Sequence, residues 1–177
     1  GNQEQVLKYS EILIRNKSRQ LQLSPGSAFF MNGPGGHHAM AGDACRLLGR
    51  FADALSHCDQ AIKLAEQLPE ENRNSSDVLS VLAFAFETTC EAHLALGAVE
   101  NAQKVASQAV SVRRKLVVAN GNSIESQREL CVALERMGSV AMRLSQFDEA
   151  IKHYREALTT RTKLYEPAGG VAGFLGN

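Results

Sequence analysis

The sequence predicts an all-α protein: an α–α superhelix of three helical hairpins, preceded by one extra helix. Three observations carry that expectation. Six positions, Leu48, Gly49, Phe51, Ala54, Ala61 and Leu68, return forty-eight residues later as Leu96, Gly97, Val99, Ala102, Ala109 and Leu116. They return again as Leu144, Ser145, Phe147, Ala150, Ala157 and Leu164. Four of these columns are identical in all three copies, and a fixed period of this size marks stacked supersecondary units. Within the copies, apolar residues follow helical spacing, as at Leu130, Leu134, Met137, Ala141 and Leu144. Finally, Trp is absent and aromatics make up only 6%. Ala and Leu in the repeat columns suit close helix packing better than a β-sandwich.

Residues 3–23 read as a helix, apolar at Val6, Leu7, Ile12, Leu13, Ile14 and Leu21. Shifted by one period, Val6 and Leu13 fall on the two alanine columns, so this helix is either the remnant of a degraded repeat or a cap. Residues 24–36 form a linker rich in Ser, Pro and Gly, and Asn32-Gly33-Pro34-Gly35-Gly36 is expected to exclude a helix interior. The first repeat helix should therefore be short, starting between Pro34 and His38 and ending near Leu48. His37-His38-Ala39-Met40 also resembles the remnant of a fusion, which leaves the native origin of residues 1–38 open.

The second helix of this unit spans 51–68 and stops at Pro69. In the second unit a helix over 76–96, a turn at Gly97 and a helix over 99–118 lead to the turn Asn120-Gly121-Asn122. In the third, Ser123 caps a helix reaching Leu144, Ser145-Gln146 turns the chain, and 147–165 forms the last helix before Pro167 and Gly169-Gly170. The repeats thus occupy residues 37–170, as about 37–74, 75–122 and 123–167, and 168–177 is a tail.

Composition narrows the function classes. Nineteen basic residues balance nineteen acidic ones, which lacks the electrostatic footprint of a nucleic-acid binder. The longest apolar stretch, 78–86, is interrupted by Ser80 and is too short to span a bilayer. The N-terminus shows no basic segment followed by an apolar run. Cys45, Cys58, Cys90 and Cys131 contain no C-x-x-C and fall at small-residue packing positions, as expected of reduced core thiols in a cytoplasmic protein. Catalytic motifs are scarce. Gly33-Pro34-Gly35-Gly36 lacks the Lys and Ser/Thr of a phosphate loop. His37-His38 with Cys45 matches no zinc spacing, and His57-Cys58 and Cys90/His93 lack a third group to orient a base. No catalytic, cofactor or metal residue is assigned, and an enzyme is not expected.

The columns do resemble a known family. A small residue midway along the first helix, Gly at the turn, an aromatic opening the second helix and two alanines seven apart appear as Gly42, Gly49, Phe51, Ala54 and Ala61. The same places hold Cys90, Gly97, Val99, Ala102 and Ala109, then Gly138, Ser145, Phe147, Ala150 and Ala157. Over residues 37–166 this is similar to the tetratricopeptide repeat, whose usual length is thirty-four residues. The fourteen additional residues per unit resemble the long-helix variants of kinesin light chains and bacterial signalling proteins.

That resemblance implies an array whose first (A) helices line a concave face that binds a protein or peptide partner. The positions it assigns to that face are Asp43, Arg46, Phe84, Glu87, Thr88, Glu91, Leu94, Val132, Glu135, Arg136, Ser139 and Met142, with Arg143 beside them. The carboxylates imply an acidic centre and a partner with basic and apolar anchors. The family's clamp for acidic chaperone tails would fall on Ala39, Asp43, Thr88, Val132 and Arg136, of which only Arg136 fits. An alternative is a self-associating or autoinhibitory module that uses the array ends. A homodimer could then form through the C-terminal end, where Ile151, Leu158 and Leu164 are expected to lie partly uncovered.

Overall fold

Three helix-turn-helix units follow one another along the chain, each closed by the same backbone device. The computed structural model describes residues 1–21 and 33–165. Among them lie α1 (Asn2–Leu21), α2 (Pro34–Leu47), α3 (Phe51–Glu66), α4 (Glu70–Arg73), α5 (Ser76–Ala95), α6 (Val99–Ala119), α7 (Ile124–Arg143) and α8 (Phe147–Tyr165). The hairpins are α2/α3, α5/α6 and α7/α8, and every regular element among the described residues is a helix.

The hairpin turns are Schellman motifs. In the first, Arg50 N–H donates to the Cys45 carbonyl at 2.8 Å and Gly49 N–H to Arg46 at 3.0 Å. One period on, Ala98 donates to His93 at 2.9 Å and Gly97 to Leu94 at 3.2 Å; a further period on, Gln146 donates to Ala141 at 2.9 Å and Ser145 to Met142 at 3.1 Å. The motif needs a left-handed residue, and φ is 75° at Gly49, 74° at Gly97 and 58° at Ser145. The first two turns use the residue that tolerates this backbone, and the third carries the Cβ penalty. At the opposite ends, Ser75 and Ser123, also one period apart, cap α5 and α7 by accepting from the backbone N–H groups of Val78 and Ser126.

Packing within each hairpin is set by size. The alanine columns at 54, 102 and 150 and at 61, 109 and 157 are all buried at the helix crossings. A Cβ built on Gly42 would lie 2.6 Å from Cys58 Sγ and 3.2 Å from the Ala54 carbonyl oxygen, and one on Gly138 would lie 2.8 Å from the Tyr154 ring. In the middle hairpin the equivalent residue is Cys90, and it packs on Ala102 and Ala106. Where the A helix is bare the facing residue is larger, and where the A helix carries a thiol the facing residue is Ala.

Between hairpins, Cys58, Ala61 and Ile62 of α3 meet Val81, Phe84 and Ala85 of α5. Likewise Val110 and Val117 of α6 meet Leu130, Leu134 and Met137 of α7. In front of the array, Leu7 with Val6 and Ile14 of α1 packs on Ala41, Ala44 and Cys45 of α2. All four cysteines are buried and unbridged. Burial pushes the Cys58 thiol up to about 12 and that of Cys90 to about 11, so both are inert packing groups.

Three differences from the sequence reading stand out. α2 starts at Pro34, within the expected start, but Pro34, Gly35 and Gly36 belong to its buried first turn and not to the linker. Pro at the first helical position has no N–H to satisfy there, and Gly33 supplies an extended N-cap. The short α4 between Pro69 and Asn74 was not foreseen. The rest of the segment read as linker, residues 24–32, and the tail from 168 onward lie outside the described residues. Among the described residues α5 is long and apolar enough to cross a membrane, with a mean hydropathy of 1.3, exceeding the 78–86 stretch noted above. Half of that window is buried within the array, where α5 is flanked by α3 and α6.

The candidate partner-binding face

The A helices bring their charged residues into one connected ladder. On α2, Arg46 Nη2 lies 2.7 Å from Asp43 Oδ1, one turn earlier. The same guanidinium reaches across to α5, where its Nη1 lies 2.8 Å from Glu91 Oε2. From α7, Arg136 Nη2 donates to the other oxygen of Glu91 at 2.5 Å, and its Nη1 lies 3.7 Å from Glu87 Oε2, too far for a hydrogen bond. Glu91 thus holds all three hairpins together through two arginines.

Glu87 leads the ladder inward. Arg113 on α6 donates to both of its oxygens, Nε to Oε1 at 2.9 Å and Nη2 to Oε2 at 3.1 Å, in the bidentate arrangement that suits guanidinium and carboxylate. Its remaining Nη1 pairs with Glu129 on α7. The side chains of Arg113 and Glu87 are only 10% and 14% exposed. Burial works against the charge on Arg113, but the hydrogen bonds it donates to Glu87 and the fields of Glu87 and Glu129 outweigh it and hold its pKa above the ordinary value. Four carboxylates, Asp43, Glu87, Glu91 and Glu129, therefore face three guanidiniums, Arg46, Arg113 and Arg136.

Of the residues assigned from sequence, Asp43, Arg46, Glu87, Glu91 and Arg136 are brought together here. Glu135 stands apart and pairs with Arg161 of α8 at 2.8 Å. Phe84 packs into the core between the first two hairpins, and Leu94 into the core of the second. Thr88 is 3% exposed and does not open to solvent. Val132, Ser139, Met142 and Arg143 are exposed on α7, and Met40 and Leu47 are exposed on α2. Arg113 and Glu129 are the members that sequence reasoning missed. Arg113 lies on a second helix, in a column that holds Ala65 in the first unit and Arg161 in the third, so a signal was present in the later two copies only.

One further polar cluster lies between α2 and α3. The Nδ1 atoms of His38 and His57 are 3.1 Å apart with ring centroids at 5.3 Å, so the rings point nitrogen to nitrogen and share one proton as donor and acceptor. Burial, then the neighbouring His57 and His37, push His38 down to about 4, and burial also lowers His57. Among the described residues no three His, Cys, Asp or Glu side chains gather into a group that could hold a metal ion.

Comparison with known proteins agrees with this architecture. Residues 133–166 match the tetratricopeptide repeat family, and the first nine residues of α7 lie before the matched segment. The chain's fold is similar to that of BtubC (BKLC) from P. vanneervenii, with a TM-score of 0.64 at 16% sequence identity. The likeness covers 95% of this chain and 61% of that one. No curated protein matches the sequence. The third hairpin therefore carries a tetratricopeptide repeat, and the chain as a whole is an all-α, tetratricopeptide-like helical repeat array.

Proposed function

We propose that this chain is a non-enzymatic interaction module that binds a protein segment along its A-helix face, the concave face of a tetratricopeptide array. The observation that carries the reading is the ladder from Asp43 to Arg136, which spans all three hairpins and holds one carboxylate more than its guanidiniums can neutralise. Exposed Met40, Val132 and Met142 lie on the same A helices. A partner with a basic side chain flanked by apolar ones meets both features. Its cation competes with Arg46 or Arg136 for the half-exposed Glu91, and its apolar groups cover the methionines, whose flexible side chains adapt to varied shapes. Charge here sets orientation and rate of encounter more than affinity, which comes from the apolar contacts.

The test is a comparative capture from the native cell, using the chain beside an Asp43→Lys, Met142→Asp variant. Both positions tolerate substitution, because Met142 is exposed and Asp43 pairs only at the end of the ladder. Partners that bind this face should be depleted from the variant, and their binding to the parent should weaken as salt rises. An unchanged set of captured proteins, with both chains equally folded by circular dichroism, would move the site elsewhere.

A further inference from the structure

The first hairpin carries two histidines where the second packs apolar side chains. One period after His38 of α2 and His57 of α3 stand Phe86 and Val105, which belong to one apolar cluster of the second hairpin. In the third hairpin the same columns hold Leu134, fully buried, and His153. Packing alone therefore does not call for imidazoles at this contact, and only the first unit has a ring nitrogen on both sides of it.

The pair has the spacing of two corners of a coordination shell. Its Nδ1 atoms come from different helices and lie 3.1 Å apart, with ring centroids at 5.3 Å and ring planes at 44°. Two imidazole nitrogens bound to one tetrahedral zinc ion at about 2.0–2.1 Å stand about 3.3–3.4 Å apart. The nitrogens need to part by only about 0.2–0.3 Å to reach that edge, and a small turn of each ring brings both lone pairs to one point. Burial holds His38 down to about 4 and lowers His57, so both rings have the neutral form that ligates metal. The fields of Glu11 on α1 and Asp53 on α3 favour positive charge at His57, and that of Arg50 opposes it.

We infer that His38 and His57 bind one divalent transition-metal ion of the class that prefers imidazole, such as zinc, through their two Nδ1 atoms. The proton that the rings share at Nδ1 moves to Nε2 of the ring that carries it, and the metal takes its place. Among the described residues no third His, Cys, Asp or Glu joins the pair, so water completes the shell of this half-buried site. The ion is an exchangeable clip between α2 and α3 that stabilises the first hairpin as its free concentration exceeds Kd. This site is independent of the A-helix reading above.

The test is thermal unfolding of the full chain, free of any affinity tag, followed by circular dichroism in zinc chloride at pH 7, with calorimetric titration giving Kd. Zinc should raise Tm by about 3–6 °C once its free concentration is about tenfold above Kd, and EDTA should reverse the rise. The double variant His38→Phe, His57→Val copies the second hairpin, so it should fold and lose the rise, whereas His153→Val should keep it. In long-range proton–nitrogen NMR spectra, zinc should move the Nδ1 resonances of His38 and His57 more than those of His37, His93 and His153. Absence of a zinc-dependent rise, an equal rise in the double variant, or its loss in His153→Val overturns the inference. So does a ring-nitrogen shift confined to another histidine.

Discussion

Removing Arg113 should be the most damaging single truncation in the charged ladder. Its side chain is 10% exposed, and it donates twice to Glu87, which is 14% exposed, and once to Glu129. Arg113→Ala leaves Glu87 desolvated with only Arg136 nearby, at 3.7 Å. Breaking a buried pair from one side costs about 3–5 kcal/mol, and the residual solvent and Arg136 lower this to roughly 2–4 kcal/mol. For a chain of this size that is about 5–15 °C in melting temperature. The double variant Arg113→Met, Glu87→Leu removes both charges and fills the space with apolar atoms, so it should lie within about 1 kcal/mol of the parent or above it. Urea unfolding followed by circular dichroism on the parent, both single variants and the double closes the thermodynamic cycle. An Arg113→Ala chain within about 0.5 kcal/mol of the parent would refute the burial argument. So would a double variant as unstable as the two single losses combined.

Other consequences are local. Ser145→Gly should stabilise by up to about 1 kcal/mol, because φ there is 58° and the two equivalent turns already use glycine; a lower melting temperature would contradict the Schellman assignment. Gly42→Ala should cost about 1–3 kcal/mol despite alanine's helix propensity, and Cys58→Ala in the same chain should recover much of it, since Cys58 Sγ is the nearest clash at 2.6 Å. Acid should destabilise the first hairpin. His38 is held down to about 4 against 6.5 in the unfolded chain, so the unfolded state binds the proton first. Stability is then intact above about pH 6.5 and falls towards pH 4, by on the order of 1–2 kcal/mol once the half-exposed ring is discounted for solvent. Urea midpoints at pH 7 and pH 5 should differ less in His38→Asn than in the parent, and an equal difference would remove His38 as the cause.

The hairpins were legible because their determinants are short-range and recur. A left-handed turn residue, a small residue at a crossing and a serine cap each act within one unit, so a single period exposes all three. Gly49 and Gly97 therefore stand out as turns by their period, and the resemblance to the tetratricopeptide repeat marks Ala54 and Ala102 as crossings. The ladder was not legible in this way, because an ion pair such as Arg113 with Glu129 depends on how far two side chains reach between helices of different units. The column of Arg113 is charged again at Arg161 but alanine at Ala65, and Glu129 follows Val81, so the period marks a recurring arginine without showing that it reaches Glu129. Pro34-Gly35-Gly36 reads as linker, at the early limit of the expected helix start, for a different reason. Propensity argues against two glycines in a helix, yet this first turn is buried, and burial overrides a penalty of about 1 kcal/mol per glycine.

These two kinds of contact divide the work of the fold. Crossings inside a hairpin keep at least one very small residue in each facing pair: Gly42 with Cys58, Cys90 with Ala106, Gly138 with Tyr154. Such contacts are largely met by the chain itself, with only Tyr154 among them left exposed. Contacts between hairpins are mixed, with apolar seams below and Glu91 above, bridged by Arg46 from one side and Arg136 from the other. In a stacked array the neighbour interfaces set how the units sit against one another. A cation that draws Glu91 away from either arginine therefore acts on the junction of all three hairpins at once. Under the proposed function, binding at the A-helix face should change the relative packing of the units while leaving each hairpin intact. Amide exchange would then slow or quicken at the α3–α5 and α6–α7 seams and stay unchanged at the crossings of Ala54, Ala102 and Ala150.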